Sequence, residues 1–136
     1  MNKKILVIDG QGGRIGSQLV TAIKNAYPSV FITAVGTNTL ATAAMIRAKA
    51  DACATGENAV VVGCRTADVI IGPVGIAIAD SLYGEVTPSM ALAVGQSRAI
   101  RILIPFNHCD NRIVGVADFS ISRLIDQVVE ELKDIL

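Results

Sequence analysis

Residues Asp9-Gly10-Gln11-Gly12-Gly13-Arg14-Ile15-Gly16 have the types and the spacing to hold a phosphate. Glycine lets the backbone turn tightly and approach a ligand closely. A helix that starts at the end of such a turn presents unpaired N–H groups and a partial positive charge to an anion. No Gly-Lys-Ser/Thr follows, which disfavours a nucleoside triphosphate loop of the Walker type. Asp9 stands directly below the turn, where its charge repels phosphate. It either accepts loop N–H groups, holds a metal bridging to phosphate, touches a ribose, or only rigidifies the turn. A second constellation is Asn107-His108-Cys109. A thiolate paired with a base is a nucleophile, so Cys109 as nucleophile or His108 as acid–base group defines a catalytic alternative. Zinc held by His108, Cys109 and Cys64 is a weaker reading, because the spacing matches no short zinc signature.

The elements that must position these residues follow from the apolar pattern. Short β-branched runs alternate with helical stretches, as in a parallel sheet flanked by helices. The pattern predicts strands near 3–9, 29–35, 59–63, 67–72, 100–104 and 112–116, and helices near 14–26, 39–50, 75–83, 88–97 and 120–135. Five strands result if 112–116 is only a connector. Thr87-Pro88 marks a helix start, and Ser120 or Ser122 caps the last helix. The expected fold is α/β: one doubly wound, Rossmann-like domain over residues 1–136, with helices on both faces of a mostly parallel sheet.

In such sheets ligands bind outside the carboxyl ends of the strands. Asp9 and the glycine loop fall there, as do Gly36-Thr37-Asn38, Gly63-Cys64-Arg65, Gly72-Pro73-Val74-Gly75 and the segment after strand five. The candidate cofactor-binding residues are therefore Asp9, Gly10, Gly12, Gly13, Arg14, Ile15, Gly16, Thr37, Asn38, Gly72 and Pro73. A dinucleotide site commonly has an Asp or Glu about 20 residues past the loop, for the adenosine ribose. Here that place is Thr37-Asn38, with neither a carboxylate nor an Arg. Asn38 either contacts ligand or caps the second helix. Glu57 and Asn58 precede the expected third strand and fall at the opposite rim. Glu85 is either near the site or merely exposed.

The stretch Gly10-Gln11-Gly12-Gly13-Arg14-Ile15-Gly16-Ser17-Gln18-Leu19 resembles the nucleotide loop of dihydrodipicolinate reductases, which bind NAD or NADP. The resemblance covers about the first 25 residues and implies that Gly10, Gly13, Arg14 and Ile15 line a pyrophosphate site. That family's catalytic His- and Lys-bearing segment has no counterpart here, so its activity is not implied. The whole chain resembles a small uncharacterised family of short bacterial proteins, through Asp9-Gly-Gln-Gly-Gly, Gly36-Thr-Asn, Ala54-Thr-Gly-Glu-Asn and Ile104-Pro-Phe-Asn-His-Cys.

Composition narrows the function classes. The chain has 136 residues, enough for one core but not for a second, substrate-binding domain. Twelve basic and twelve acidic side chains cancel, and no basic cluster occurs, which argues against nucleic acid. No uncharged apolar run reaches the roughly 18 residues of a membrane span. Three widely spaced cysteines without a secretion signal read as reduced thiols in a cytoplasmic protein. The leading expectation is a module binding NAD, NADP or a related adenine ligand, as a sensor or a subunit. Coenzyme A and S-adenosylmethionine share the adenosine and are not separated by glycine spacing. A homo-oligomer would supply the missing wall of the site, with the apolar stretches 76–82 and 90–94 as its interface.

Overall fold

The computed structural model describes residues 2–105, 111–117 and 120–136. Five strands, β1 (Lys4–Asp9), β2 (Phe31–Gly36), β3 (Ala52–Thr55), β4 (Val69–Pro73) and β5 (Ile100–Ile104), form one parallel sheet in the order β3-β2-β1-β4-β5. Five helices alternate with them: α1 (Arg14–Ala26), α2 (Thr39–Arg47), α3 (Glu57–Thr66), α4 (Pro88–Gln96) and α5 (Ile121–Lys133). This is the doubly wound Rossmann-like arrangement, and its strand order reverses between β1 and β4.

The two-residue period of β1 explains the two cores. Ile5 and Val7 point to the face covered by α1, α2 and α5, where they meet Leu19, Ile23, Met45, Val128 and Leu132. Leu6 and Ile8 point to the other face and pack with Val60, Cys64, Met90 and Val94 of α3 and α4. A strand buried on both sides must be apolar at every position, as β1 is from Ile5 to Ile8, between the exposed Lys4 and the buried Asp9.

Three sequence expectations change. The run Ala59-Val60-Val61-Val62 is not the third strand but the middle of α3. Within it only Val60 and Cys64 are buried, four residues apart, while Val62 is 46% exposed; that is a helical stripe, not a strand buried on both faces. The third strand is the short edge strand Ala52-Cys53-Ala54-Thr55, whose small side chains carry little strand signal. At 112–116 there is a turn with Val114 almost fully exposed, so the sheet has five strands. The helix expected at 75–83 shrinks to one 3-10 turn, Val74–Ala77, followed by a loop with Asp80, Leu82 and Tyr83 at φ of 66°, 55° and 57°.

The expected oligomer surface also changes character. Ile76, Leu82, Met90, Ala91 and Val94 are core residues under the sheet, which leaves Leu92 as the exposed large apolar residue of α4. Thr87 caps α4 as expected, its Oγ1 accepting the Met90 N–H at 3.1 Å. No helix among the described residues is long and apolar enough to cross a membrane.

Candidate functional site at the strand-order reversal

The glycine turn leaves β1 beside the point where the strand order reverses. Asp9 ties its two ends together: Oδ1 accepts the Gly10 N–H at 2.8 Å and Oδ2 accepts the Gly16 N–H at 2.6 Å. Of the roles open to this carboxylate, acceptance of loop N–H groups is the one the geometry displays. Asp9 is only 4% exposed. Burial pushes its carboxyl up to about 6, against the lowering effect of the Gly16 and Gly10 N–H groups, and the nearby Glu85 charge adds to the rise.

The loop amides divide into two sets. Gly10, Gly13 and Gly16 donate inward, Gly13 to the Gly10 carbonyl at 2.9 Å. Gln11 donates to Glu85 Oε1 at 2.8 Å. No acceptor among the described residues takes the N–H of Gly12, Arg14 or Ile15. These three residues line a cavity of about 160 Å³ bounded by loop residues 9–15, Pro73, Leu82 and Ile121. That is less than the roughly 300–1,000 Å³ of a whole small-molecule pocket. It offers room for the phosphate part of a ligand. Arg14 is exposed at its edge and, among the described residues, pairs with no carboxylate.

The glycines have different duties. Gly13 sits at φ 71°, and a Cβ there would lie 2.7 Å from the Ala41 Cα, so its lack of a side chain serves the contact between the turn and α2. A Cβ on Gly16 would meet Met45 Sδ at 2.6 Å, and one on Gly72 would run into the Ile8 carbonyl. Gly12 differs: nothing lies within 4 Å of the place its Cβ would take. The amides of Gly10 and Gly13, which the loop resemblance assigned to pyrophosphate, are thus spent on the turn itself, whereas those of Arg14 and Ile15 are open.

Thr37 and Asn38 stand at the end of β2 as expected, and both are bound to a third residue. Glu85 Oε1 accepts from Thr37 Oγ1 and from Asn38 Nδ2, each at 2.7 Å, in addition to the Gln11 N–H. Asn38 is also the N-cap of α2, its Oδ1 accepting the Ala41 N–H at 2.8 Å, while its Nδ2 donates to the Gln11 carbonyl at 2.9 Å. Burial works to raise the Glu85 carboxyl, but the Gln11, Thr37 and Asn38 donors outweigh it and hold it below the usual range. Glu85 is placed at this rim by no local sequence signal. It lies 74 positions from Gln11 and 48 from Thr37, and no spacing rule links them.

Other expected site residues move. Because β3 ends at Thr55, opposite Gly36, Glu57 and Asn58 start α3 at the carboxyl rim rather than the amino rim. Glu57 Oε1 accepts from Thr87 Oγ1 at 2.6 Å, joining the first turns of α3 and α4. Gly63, Cys64 and Arg65 go the other way, to the end of α3 that precedes β4. Cys64 is buried there, with burial pushing its thiol up to about 11. Cys53 is half-buried in β3 and its thiol is likewise raised, by burial and by the Asp51 charge. Among the described residues no group of His, Cys, Asp and Glu is placed to hold a metal ion. His108 and Cys109, the candidate catalytic pair, lie outside the described residues.

A wider groove of about 570 Å³ runs over the outer faces of α1, α2 and α5, past Ser17, Thr21, Arg47 and Asp126. It is bordered by side chains of helix interiors, without the converging backbone donors of the glycine turn.

Among solved structures the chain is similar to a dodecameric FMN-dependent Ubix-like decarboxylase from Escherichia coli, at 20% identity and a TM-score of 0.44, over 96% of this chain and 76% of that one. No curated protein matches it. The family model described as a domain of unknown function, DUF3842, matches residues 4–136, and the chain belongs to that family.

Proposed function

We propose that the chain is a nucleotide-binding module, holding the phosphates of NAD, NADP or a related adenine nucleotide on the amides of Gly12, Arg14 and Ile15. One observation carries this reading: three residues of the turn and the start of α1 whose N–H groups have no partner among the described residues line one cavity at the strand-order reversal. An anion there gains hydrogen bonds and the favourable end of the α1 dipole. Asp9, Gly10, Gly13 and Gly16 shape the turn, Pro73 forms the opposite wall, and Arg14 supplies a cation.

Thermal unfolding with NAD, NADH, NADP, NADPH, coenzyme A, S-adenosylmethionine and FMN tests it. At hundredfold excess over Kd a ligand stabilises the fold by roughly 2.7 kcal/mol, several degrees for a domain of this size. At least one of the phosphate-bearing adenine ligands raises Tm, and Gly12→Glu, which places a carboxylate in the phosphate space, abolishes the rise. A flat response to the whole panel contradicts the proposal.

A second reading, a small enzyme, has one observation in its favour. Ile104 pairs with Pro73 at the end of β5, so the segment bearing Asn107, His108 and Cys109 begins next to a residue of the cavity wall. It predicts selective alkylation of Cys109 below pH 7; the slow reaction of an ordinary thiol there removes it.

A further inference from the structure

Dinucleotide sites of this fold take the adenosine ribose on a carboxylate at the end of β2. This chain has Thr37 and Asn38 at that place, but the fold brings a carboxylate to it from elsewhere. Glu85 arrives on the connection between β4 and α4, and its Oε1 is fixed by Gln11, Thr37 and Asn38. Its other oxygen, Oε2, has no partner among the described residues. A carboxylate with one oxygen bound by three donors and the other open is an acceptor whose direction is set in advance.

The loop that delivers Glu85 is built for that position. The Asp80 N–H donates to the Val86 carbonyl at 2.7 Å and the Val86 N–H to the Ser81 carbonyl at 3.2 Å, closing the loop at its base. Leu82 is buried against the glycine turn, with its Cδ1 2.8 Å from where a Cβ on Gly10 would be. Asp80, Leu82 and Tyr83 hold left-handed backbone conformations, which residues with a side chain rarely adopt. Glu85 is thereby held between the phosphate loop and the tip of β2, the strip a dinucleotide crosses from its pyrophosphate to its adenosine.

We infer that Glu85 is the residue that recognises the ribose: Oε2 accepts the 2′- and 3′-hydroxyls of the adenosine ribose, and its charge rejects a 2′-phosphate. The inference rests on the nucleotide-binding reading above and narrows it to a dinucleotide with an unphosphorylated ribose, NAD(H) rather than NADP(H). It also supplies the carboxylate that the sequence of β2 lacks, from a residue on a different crossover.

The test is the ratio of NADH to NADPH affinity, measured by titration calorimetry for the wild-type protein, E85Q and E85A. E85Q keeps an acceptor for the three donors and loses the charge. The wild-type protein binds NADH about tenfold or more tightly than NADPH. In E85Q the preference shrinks to within about threefold, through weaker NADH and relatively stronger NADPH binding. A general loss of stability would lower both affinities and leave the ratio where it was. Equal wild-type affinities, or an unchanged ratio in both variants, overturns the assignment. Tighter binding of both dinucleotides by E85Q and E85A also overturns it, and marks Glu85 as a plug. If the wild-type protein binds only coenzyme A, this assignment fails while the phosphate site stands; if it binds only S-adenosylmethionine, which carries no phosphate, both readings fail. If it binds nothing in the panel, the site reading fails and takes this inference with it.

Discussion

At the scale of single residues, the glycine turn separates amides that stay open from amides spent on the fold. Gly12 and Gly13 are adjacent and behave oppositely. A side chain on Gly12 enters open space, so Gly12→Val leaves Tm within about a degree of the parent while nucleotide affinity falls at least tenfold. A side chain on Gly13 meets the backbone of Ala41 and must hold a φ of 71°, so Gly13→Ala costs about 2–4 kcal/mol in urea unfolding, whatever ligand is present. If the two variants exchange these phenotypes, the division of the loop amides is wrong. Asp9 gives a prediction in pH. Its folded carboxyl is raised to about 6 from 3.8, so the folded state binds the proton more tightly than the unfolded chain. The resulting stability is fully present below about pH 4 and is lost as pH rises through about 6, about 3 kcal/mol in all. The lowered carboxyls of Asp51 and Glu85 act in the opposite sense, but below the ordinary carboxylate range. The urea midpoint therefore falls between pH 5 and pH 7, and Asp9→Asn flattens that slope. Equal slopes in the two proteins refute this role for Asp9.

At the scale of elements, Asn38 is the joint between β2, α2 and the glycine turn. It caps α2, reaches the Gln11 carbonyl and supports Glu85. Asn38→Ala removes a cap and two further hydrogen bonds, one of them to a charged group, and costs about 2–3 kcal/mol by denaturant unfolding. A loss below about 0.5 kcal/mol shows that the joint carries no load. The same element shows what was readable beforehand. The β1–turn–α1 unit was legible because its signals are local: an apolar run, glycines at the turn and a helical stripe. The Thr87-Pro88 start of α4 was legible for the same reason. The third strand was not, since Ala52-Cys53-Ala54-Thr55 is short, small and at a sheet edge, whereas the valines of α3 imitate a buried strand. Reading those valines as a strand puts Glu57 and Asn58 at the amino rim and Cys64 at the carboxyl rim, the reverse of where α3 carries them. Glu85 was illegible for a different reason: it reaches the site through a loop with three non-glycine residues at positive φ, a conformation that composition does not announce.

At the scale of the molecule, strand order decides where chemistry can sit. With β1 and β4 adjacent at the centre, their outgoing loops diverge to opposite faces and leave a crevice between the glycine turn and Pro73. The sequence placed the turn at that rim, and the fold added the open amides, the cavity and the carboxylate bound to the tip of β2. The central claim is that the open amides of Gly12, Arg14 and Ile15 receive phosphate. Amide NMR of the ¹⁵N-labelled protein during titration with NADH tests it most directly. The account predicts saturable shifts at Gly12, Arg14 and Ile15, with little movement at Gly63 and Thr66 on the opposite rim. Saturable binding that leaves those three amides unmoved while resonances elsewhere shift would contradict it.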